Sequence, residues 1–228
     1  MLLIDALEQT SRSFIEDAPA FTQTTTRPRI DLQTGRLAGQ SAQWPVHTPV
    51  PQILDAACAV ARSSGAPVSI PAPRHPATLL AAVREAIVTA TLPPDHLELT
   101  FSAAMLGDAG TEMLLALSAL RDEGVALALE DFGPSGIALA GRLPFSCVIL
   151  ARSCIVRIPD APAALAPLCK LIDLAHSHCM AVVATGIETE TQRAVLSALG
   201  CDFGEGALFG PDTEFVGAPA ASPGSPKQ

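Results

Sequence analysis

The sequence lacks the long apolar runs and the clustered basic residues that define several common classes of protein. Its longest apolar stretches, "VALALE" and "MAVVATG", are strand-sized and fall short of the ~20 residues that a membrane span needs. The chain has 14 Lys and Arg against 23 Asp and Glu, and its net charge is −9. Because nucleic-acid surfaces need clustered Lys and Arg, this composition argues against direct binding of nucleic acid.

Export signals and paired cysteines are missing as well. The first stretch, "MLLIDALEQTSRSFIED", has no basic region and no small-residue cleavage site, so it does not resemble a signal peptide and favours a cytoplasmic protein. The six cysteines form no C-x-x-C pair and have no zinc-like spacing. In an apolar chain of this kind we expect them to be small, buried hydrophobic residues.

Short apolar strands alternate with amphipathic helices at least five times along the chain. Clear strand candidates are "HLELTFS", "VALALED", "CVILA" and "AVVATG", and a last short strand is predicted near "LFG". This alternation predicts a parallel sheet covered by helices, either open and doubly wound or closed into a barrel. No G-x-G-x-x-G and no P-loop follows a strand, which counts against the open nucleotide-binding sheets.

The 228 residues suffice for one sizeable domain. We expect an amphipathic helix over residues 1–20, the α/β domain over residues 21–215, and a disordered tail rich in Pro, Ser and Gly over residues 216–228.

Functional side chains of a βα barrel lie at the carboxyl ends of its strands. This rule selects Glu98, the adjacent acids Glu130 and Asp131, Thr185 and the loop around Glu205. Two interpretations of the adjacent acids stay open. They can contact an ion or a ligand, or they can cap the next helix and accept N–H groups of the following turn.

Four segments carry a resemblance to a known family. They are "RIDLQTGRLAGQSA", "LPPDHLELTFSAAML", "LRDEGVALALEDFGPSGIALAGRLPFSCVILARSCI" and "VVATGIETETQRAVLSALGCDFGEGALFG". In this order, over residues 21–211, they resemble the EAL-domain family, barrel phosphodiesterases that linearise the bacterial messenger cyclic di-GMP with two divalent metals. The resemblance implies a TIM-like (βα) barrel of the EAL type. The segment "QWPVHTPVPQILDAACAV" is shorter than its family counterpart, so we expect the first outer helix to be lost.

Most functional positions of the family hold other residues here. The replaced metal-ligating, phosphate-binding and catalytic positions are Ser41, Gln43, Pro45, Ser69, Phe101, Ile149, Ala151, Thr185 and Glu205. Pro45 stands where the family has the arginine that holds the substrate phosphate, and Ile149 where it has the lysine associated with activating water. The remaining acids Glu98, Glu130 and Asp131 would hold at most one Mg²⁺ or Mn²⁺. The resemblance therefore implies an inactive member that needs no metal cofactor.

Three functions remain open at this stage. The first is a catalytically inactive regulatory domain that binds a protein partner, such as a transcription or motility regulator, because one stand-alone degenerate relative restrains flagellar genes in this way. The alternative is a non-hydrolysing cyclic di-GMP receptor that uses Asp131, Glu188, Phe209 and Pro211. The third, and least favoured, is a weak phosphodiesterase.

Two further questions concern what covers the barrel and what neutralises its acids. The wall left bare by the lost helix needs a cover, which residues 1–17, a partner protein or a second copy in a homodimer would supply. A nucleotide would also meet the acids Glu98, Glu130 and Glu205. Arg27 and Arg29 on the first strand are the candidate replacement cations, and the sequence does not place them.

Overall fold

The computed structural model describes residues 23–45, 48–73, 76–107, 110–133, 142–156, 158 and 165–216. The helix expected over residues 1–20 and the tail after residue 216 lie outside these residues. The sequence also predicts a short helix in "SGIALAGRL", and most of that segment lies outside them too. The strands are β1 (Gln23–Asp31), β2 (Leu37–Gln43), β3 (Val68–Pro71), β4 (Leu97–Ser102), β5 (Ala126–Phe132), β6 (Cys147–Leu150), β7 (Ala181–Thr185), β8 (Phe203–Glu205) and β9 (Thr213–Val216).

Helices alternate with these strands. They are α1 (Val50–Ser64), α2 (Pro76–Ala90), α3 (Ala103–Gly107), α4 (Thr111–Asp122), α5 (Arg152–Val156), α6 (Leu165–Ser177) and α7 (Glu190–Ala198). Short 3₁₀ turns lie at Pro94–His96 and Ala207–Phe209. None of the described helices is both long and apolar enough to cross a bilayer.

The sheet closes on itself into an eight-stranded barrel. Strands β2 to β8 pair in parallel in sequence order, and β1 pairs antiparallel with both β2 and β8. Strand β9 adds to the outer half of β1, where Thr24 pairs with Phe215. The predicted TIM-like (βα) barrel is therefore confirmed.

A tight hairpin joins β1 to β2. The Asp31 carboxylate accepts the N–H groups of Gln33 and Thr34, both at 2.8 Å, and Gly35 supplies a positive φ of 70°. These N–H bonds, that of Thr34 first, lower the pKa of Asp31. The hairpin fixes the register so that Arg27 lies opposite Ser41.

One described helix connects β2 to β3. Strand β2 ends at residue 43 and α1 begins at residue 50, which leaves too few residues for another helix between them, in line with the shortened link expected from the sequence. The glycine that follows the apolar pattern of "VPQILDAACAVARSSGA" predicts a helix end, and Gly65, in the left-handed conformation, does end α1. The helix packs Leu54 and Val60 into the main core between sheet and helices.

Two sequence expectations were wrong. The strand expected near "LFG" is a 3₁₀ turn. Strand β8 lies earlier, at Phe203–Glu205, within "CDFGEG", whose two glycines predict a turn. The cysteines are not uniformly buried: Cys179 is exposed at the end of α6, where its φ is 57°. Strand β8 lies in a glycine-containing segment, and Cys179 lies just after the end of a helix. In such segments the backbone conformation decides the structure and the burial more than the apolar pattern does.

Candidate functional site

A cavity of about 240 Å³ opens at the carboxyl ends of the barrel strands. Its lining combines arginines, acids and hydroxyls: Arg27, Arg29, Ser41, Gln43, Ser69, Thr100, Glu130, Asp131, Ile149, Arg152, Thr185 and Glu205, among others. Of the residues that the strand-end rule selected, Glu130, Asp131, Thr185 and Glu205 line this cavity, whereas Glu98 is the second residue of β4 and does not line it.

Strand pairing brings the predicted site residues of different strands to one level. Ser41 pairs with Ser69, and Ser69 pairs with Glu98, on three neighbouring parallel strands. On the other side of the barrel, Thr185 pairs with Glu205. Since side chains alternate across a strand, these residues point into the barrel while their neighbours pack against the helices.

Arg29 lies at the floor of the cavity and reaches into the barrel. Its Nε donates to Glu205 Oε1 at 2.7 Å, and its Nη1 donates to Glu98 Oε1 at 2.8 Å. Glu205 lies on the neighbouring strand β8, whereas Glu98 lies on β4, three strands away around the barrel. The side chains of all three residues are at most 9% exposed. A guanidinium thus joins two buried carboxylates inside the barrel.

Ser41 completes this cluster. Its hydroxyl donates to the second carboxylate oxygen of Glu205 at 2.8 Å. Both oxygens of Glu205 therefore have donors. The remaining guanidinium nitrogen, Arg29 Nη2, is buried and has no hydrogen-bond partner within the described residues.

Burial and the neighbouring acids shift the pKa values of Arg29 and of the nearby Cys147 thiol. Burial alone would lower the pKa of Arg29, but Glu98 and Glu205 more than offset burial, so the pKa is raised and the guanidinium stays charged. Burial, together with the charge of Glu98, raises the pKa of the Cys147 thiol, which therefore stays neutral. Arg29 is thus a fixed cation inside the barrel, and its charge is stabilised by Glu98 and Glu205.

The two arginines at the rim are engaged by acids outside the barrel interior. Arg27 forms two hydrogen bonds with Asp212, at 2.7 and 2.6 Å, and this pair raises the pKa of Arg27 and lowers that of Asp212. Arg152 pairs with Glu188 at 2.9 Å, and both side chains are exposed. Arg29 is therefore the replacement cation for the inner acids, and Arg27 is not.

The adjacent acids of β5 have different surroundings. Glu130 is half-buried and accepts a hydrogen bond from the Thr100 hydroxyl. Asp131 is exposed, lines the cavity and has a φ of 51°, an uncommon value for a residue other than glycine. The turn that follows includes residues 134–141, outside the described part of the chain, so the proposed capping role stays a prediction.

Three other replaced family positions, Ile149, Phe101 and Ala151, hold apolar side chains. Ile149 lines the cavity and packs on the small cluster of Ala128, Cys147 and Val183 inside the barrel. Phe101 points away from the cavity and packs against Phe145, with 6.1 Å between the ring centroids. Ala151, half-buried, follows β6 directly and donates its N–H to Phe132.

The residues predicted to bind nucleotide do not all meet at the cavity. Asp131 lines it, whereas Glu188 is held in the exposed pair with Arg152. Phe209 packs against the core and Pro211 is exposed, and neither lines this cavity. Gln43 lines the cavity, and Pro45 lines a separate one beside Trp44.

Sequence reasoning missed Arg152 and the role of Arg29. Arg29 lies on the antiparallel strand, where the rule about carboxyl ends does not apply. One signal was available: "TTTRPRID" places two arginines at alternating positions of a strand that enters a barrel, and a buried arginine requires acid partners.

The described residues contain no group of three or more His, Cys, Asp or Glu side chains arranged to hold a metal ion. Two buried acids, Glu98 and Glu205, come together only through Arg29.

Comparison with known proteins identifies relatives of this chain. Residues 52–212 match the family described as EAL domain. The chain is 31% identical over 153 residues to the cyclic di-GMP phosphodiesterase RocR of Pseudomonas aeruginosa, which covers 64% of this chain and 39% of RocR. It is 34% identical over 139 residues to the bifunctional diguanylate cyclase/cyclic di-GMP phosphodiesterase MucR of the same species. This match covers 59% of this chain and 20% of MucR. The chain thus spans well under half the length of these relatives.

Solved structures show the same fold. The MucR phosphodiesterase in complex with c-di-GMP has a TM-score of 0.73 at 23% identity, covering 93% of this chain and 97% of that one. The EAL domain of Mycobacterium smegmatis DcpA has a TM-score of 0.74 at 24% identity, covering 86% and 92%.

Proposed function

Since the chain belongs to the EAL domain family, we propose that it is a cytoplasmic member that does not hydrolyse cyclic di-GMP and acts by binding a protein partner. Relatives carry the name of cyclic di-GMP phosphodiesterase, which makes this nucleotide the one to test. The observation that carries the proposal is the engagement of Glu98 and Glu205 by Arg29.

Hydrolysis with two metals needs several free oxygen ligands and a positioned water. Two acids of the barrel interior, Glu98 and Glu205, are committed to a guanidinium, and the Glu130 carboxylate accepts a hydrogen bond from the Thr100 hydroxyl. Ile149 presents an apolar surface where the family has a lysine. Because the loss of one such electrostatic element typically costs ~10²–10³ in rate, the combined losses favour a barrel without phosphodiesterase activity.

An apolar cavity supports the partner half of the proposal. A second cavity of about 240 Å³ lies between the start of α1 and the end of β3. The residues that line it are all apolar: Val50, Ile53, Leu54, Ile70, Pro71, Ala72 and Pro73. It adjoins the shortened link after β2, where the sequence predicts an uncovered wall. Val50 and Ile53 are half-buried at this cavity and would give a partner protein an apolar contact.

The hydrolysis assay tests the first half. The purified chain is incubated with cyclic di-GMP and Mn²⁺ and the products are separated, with RocR as the positive control. We expect no linear product from this chain. Linear product that disappears in Asp131→Ala would overturn the proposal, because Asp131 is the exposed acid of the mouth.

Capture from the native host tests the second half. The bait proteins are the unaltered chain, Ile53→Asp in the apolar cavity, and Val88→Asp as a matched control, since Val88 is an apolar residue 77% exposed on α2. We expect a protein that is retained by the unaltered chain and by Val88→Asp and lost by Ile53→Asp. A captured set that Ile53→Asp leaves unchanged contradicts binding at this cavity.

The second candidate function is a non-hydrolysing cyclic di-GMP receptor. The cavity at the strand ends favours it, because Asp131 lies there with Arg27 and Arg152. Its volume of about 240 Å³ is below the ~300–1,000 Å³ of typical ligand pockets, which favours the partner-binding role. Calorimetric titration with cyclic di-GMP, with and without Mg²⁺, separates the two: heat that Asp131→Ala abolishes supports the receptor.

A further inference from the structure

We infer that the Arg29 guanidinium is a resident cation that takes the place of a divalent metal ion in this barrel, a role that rests on the proposed loss of hydrolysis and explains how the interior acids are stable without metal. The family resemblance implies that Glu98 is a metal ligand. The residues present do not fit a metal ion, because Arg29 already supplies the positive charge between Glu98 and Glu205.

Two buried carboxylates require a compensating charge. Glu98 and Glu205 side chains are 9% and 4% exposed, and an uncompensated ion at such a depth is strongly destabilising. Arg29 meets this need with two hydrogen bonds of 2.8 and 2.7 Å, one to each acid. A planar guanidinium with fixed donors suits the bridging of two carboxylates that approach from different strands.

A metal ion and this guanidinium exclude each other. A divalent ion bound to Glu98 Oε1 or Glu205 Oε1 would lie within a few ångströms of Arg29, where like charges repel strongly in a buried site. The bonds of Arg29 also occupy one carboxylate oxygen of each acid. With the guanidinium in place, we expect the unaltered chain to take up no metal at these acids.

Removal of the guanidinium leaves the components of a divalent-cation site. Glu98 and Glu205 would keep two carboxylates inside the barrel. The Ser41 hydroxyl donates a hydrogen bond to Glu205, and Ser69 is the residue paired with Glu98 on the neighbouring strand β3. Mg²⁺ and Mn²⁺ are commonly held by one or two carboxylates with further oxygens from hydroxyls or water. We therefore infer a latent cation site that Arg29 fills.

The test compares thermal unfolding and calorimetric binding of Mn²⁺ in three proteins after treatment with a chelator. They are the unaltered chain, Arg29→Met, and Arg27→Met as the matched control on the same strand, whose partner Asp212 is not buried in the barrel. In Arg29→Met, Mn²⁺ at about 100 times its dissociation constant should raise the Tm by at least about 5 °C. The unaltered chain and Arg27→Met should show no rise and no binding heat.

Each other outcome has a definite meaning. If Arg29→Met does not fold without metal, refolding in Mn²⁺ replaces the melting test, and failure to refold overturns the inference. A rise in Tm that persists in the triple variant Arg29→Met, Glu98→Gln, Glu205→Gln also overturns it, because the acids would not be the ligands. Mn²⁺ uptake by the unaltered chain contradicts it directly. None of these readouts depends on hydrolysis, so the inference and the proposed function can fail separately.

Discussion

Replacement of Arg29 by Met should destabilise the metal-free protein far more than the same replacement of Arg27. Methionine keeps an unbranched apolar chain of similar reach and removes the charge and the donors. In Arg29→Met the buried Glu98 and Glu205 lose their shared partner, whereas in Arg27→Met the acid left behind, Asp212, is 41% exposed and can be solvated.

The magnitudes follow from burial. Removing one partner of a buried ion pair typically costs about 3–5 kcal/mol, and removing one partner of an exposed pair costs about 0–1 kcal/mol. For a domain of 150–250 residues each kcal/mol moves the Tm by about 2–4 °C. Arg29→Met should therefore lower the Tm by about 6–20 °C, and Arg27→Met by about 4 °C or less.

Urea unfolding and thermal melting by circular dichroism, both in the presence of chelator, measure the two losses. Neutralising the acids as well, by Glu98→Gln and Glu205→Gln, should recover part of the stability lost in Arg29→Met. Equal destabilisation by the two arginine variants would refute the reasoning, because it would mean that the interior acids do not depend on Arg29. A triple variant less stable than Arg29→Met would also refute it.

Three further predictions concern other parts of the barrel. Cys179 should react with a thiol reagent within minutes at pH 8, and Cys58, whose pKa burial raises to about 11, should react only on unfolding; mass spectrometry of modified peptides checks this. Gly206→Ala should destabilise strongly, since its φ is 154° and an added Cβ would collide with the backbone of Ile187; urea unfolding measures the loss. Asp212→Asn should cost at most about 1 kcal/mol at pH 7; because the folded-state pKa of Asp212 is lowered, the difference from the unaltered chain should begin to shrink as the pH falls below about 4, the ordinary pKa of Asp, and should be gone only below the folded-state pKa.

The fold was largely predictable from local patterns. Alternating strands and helices, the turn at Asp31 and the helix end at Gly65 all follow from residues close in sequence, and the structure has each of them. The error at β8 has a local cause. Gly206, with its φ of 154°, allows close packing on Ile187, and a turn-like composition then hides a short strand that pairs with both β7 and β1.

The site was predictable only in part. The rule about the carboxyl ends of parallel strands identified Glu130, Asp131 and Thr185, because all such ends meet at one face of the barrel. The contact of Arg29 with Glu98 was not, since it joins residues 69 positions apart through a long side chain that spans the barrel interior. Periodicity assigns a side chain to a face of a strand, and it does not say which distant group that side chain reaches.

A crystal structure of the chain grown with Mn²⁺ and cyclic di-GMP would show directly which cation the interior acids hold. We expect continuous density for the Arg29 guanidinium between Glu98 and Glu205, with no anomalous peak from manganese at either acid. Manganese peaks bound to Glu98 or Glu205, with Arg29 displaced from them, would contradict this expectation.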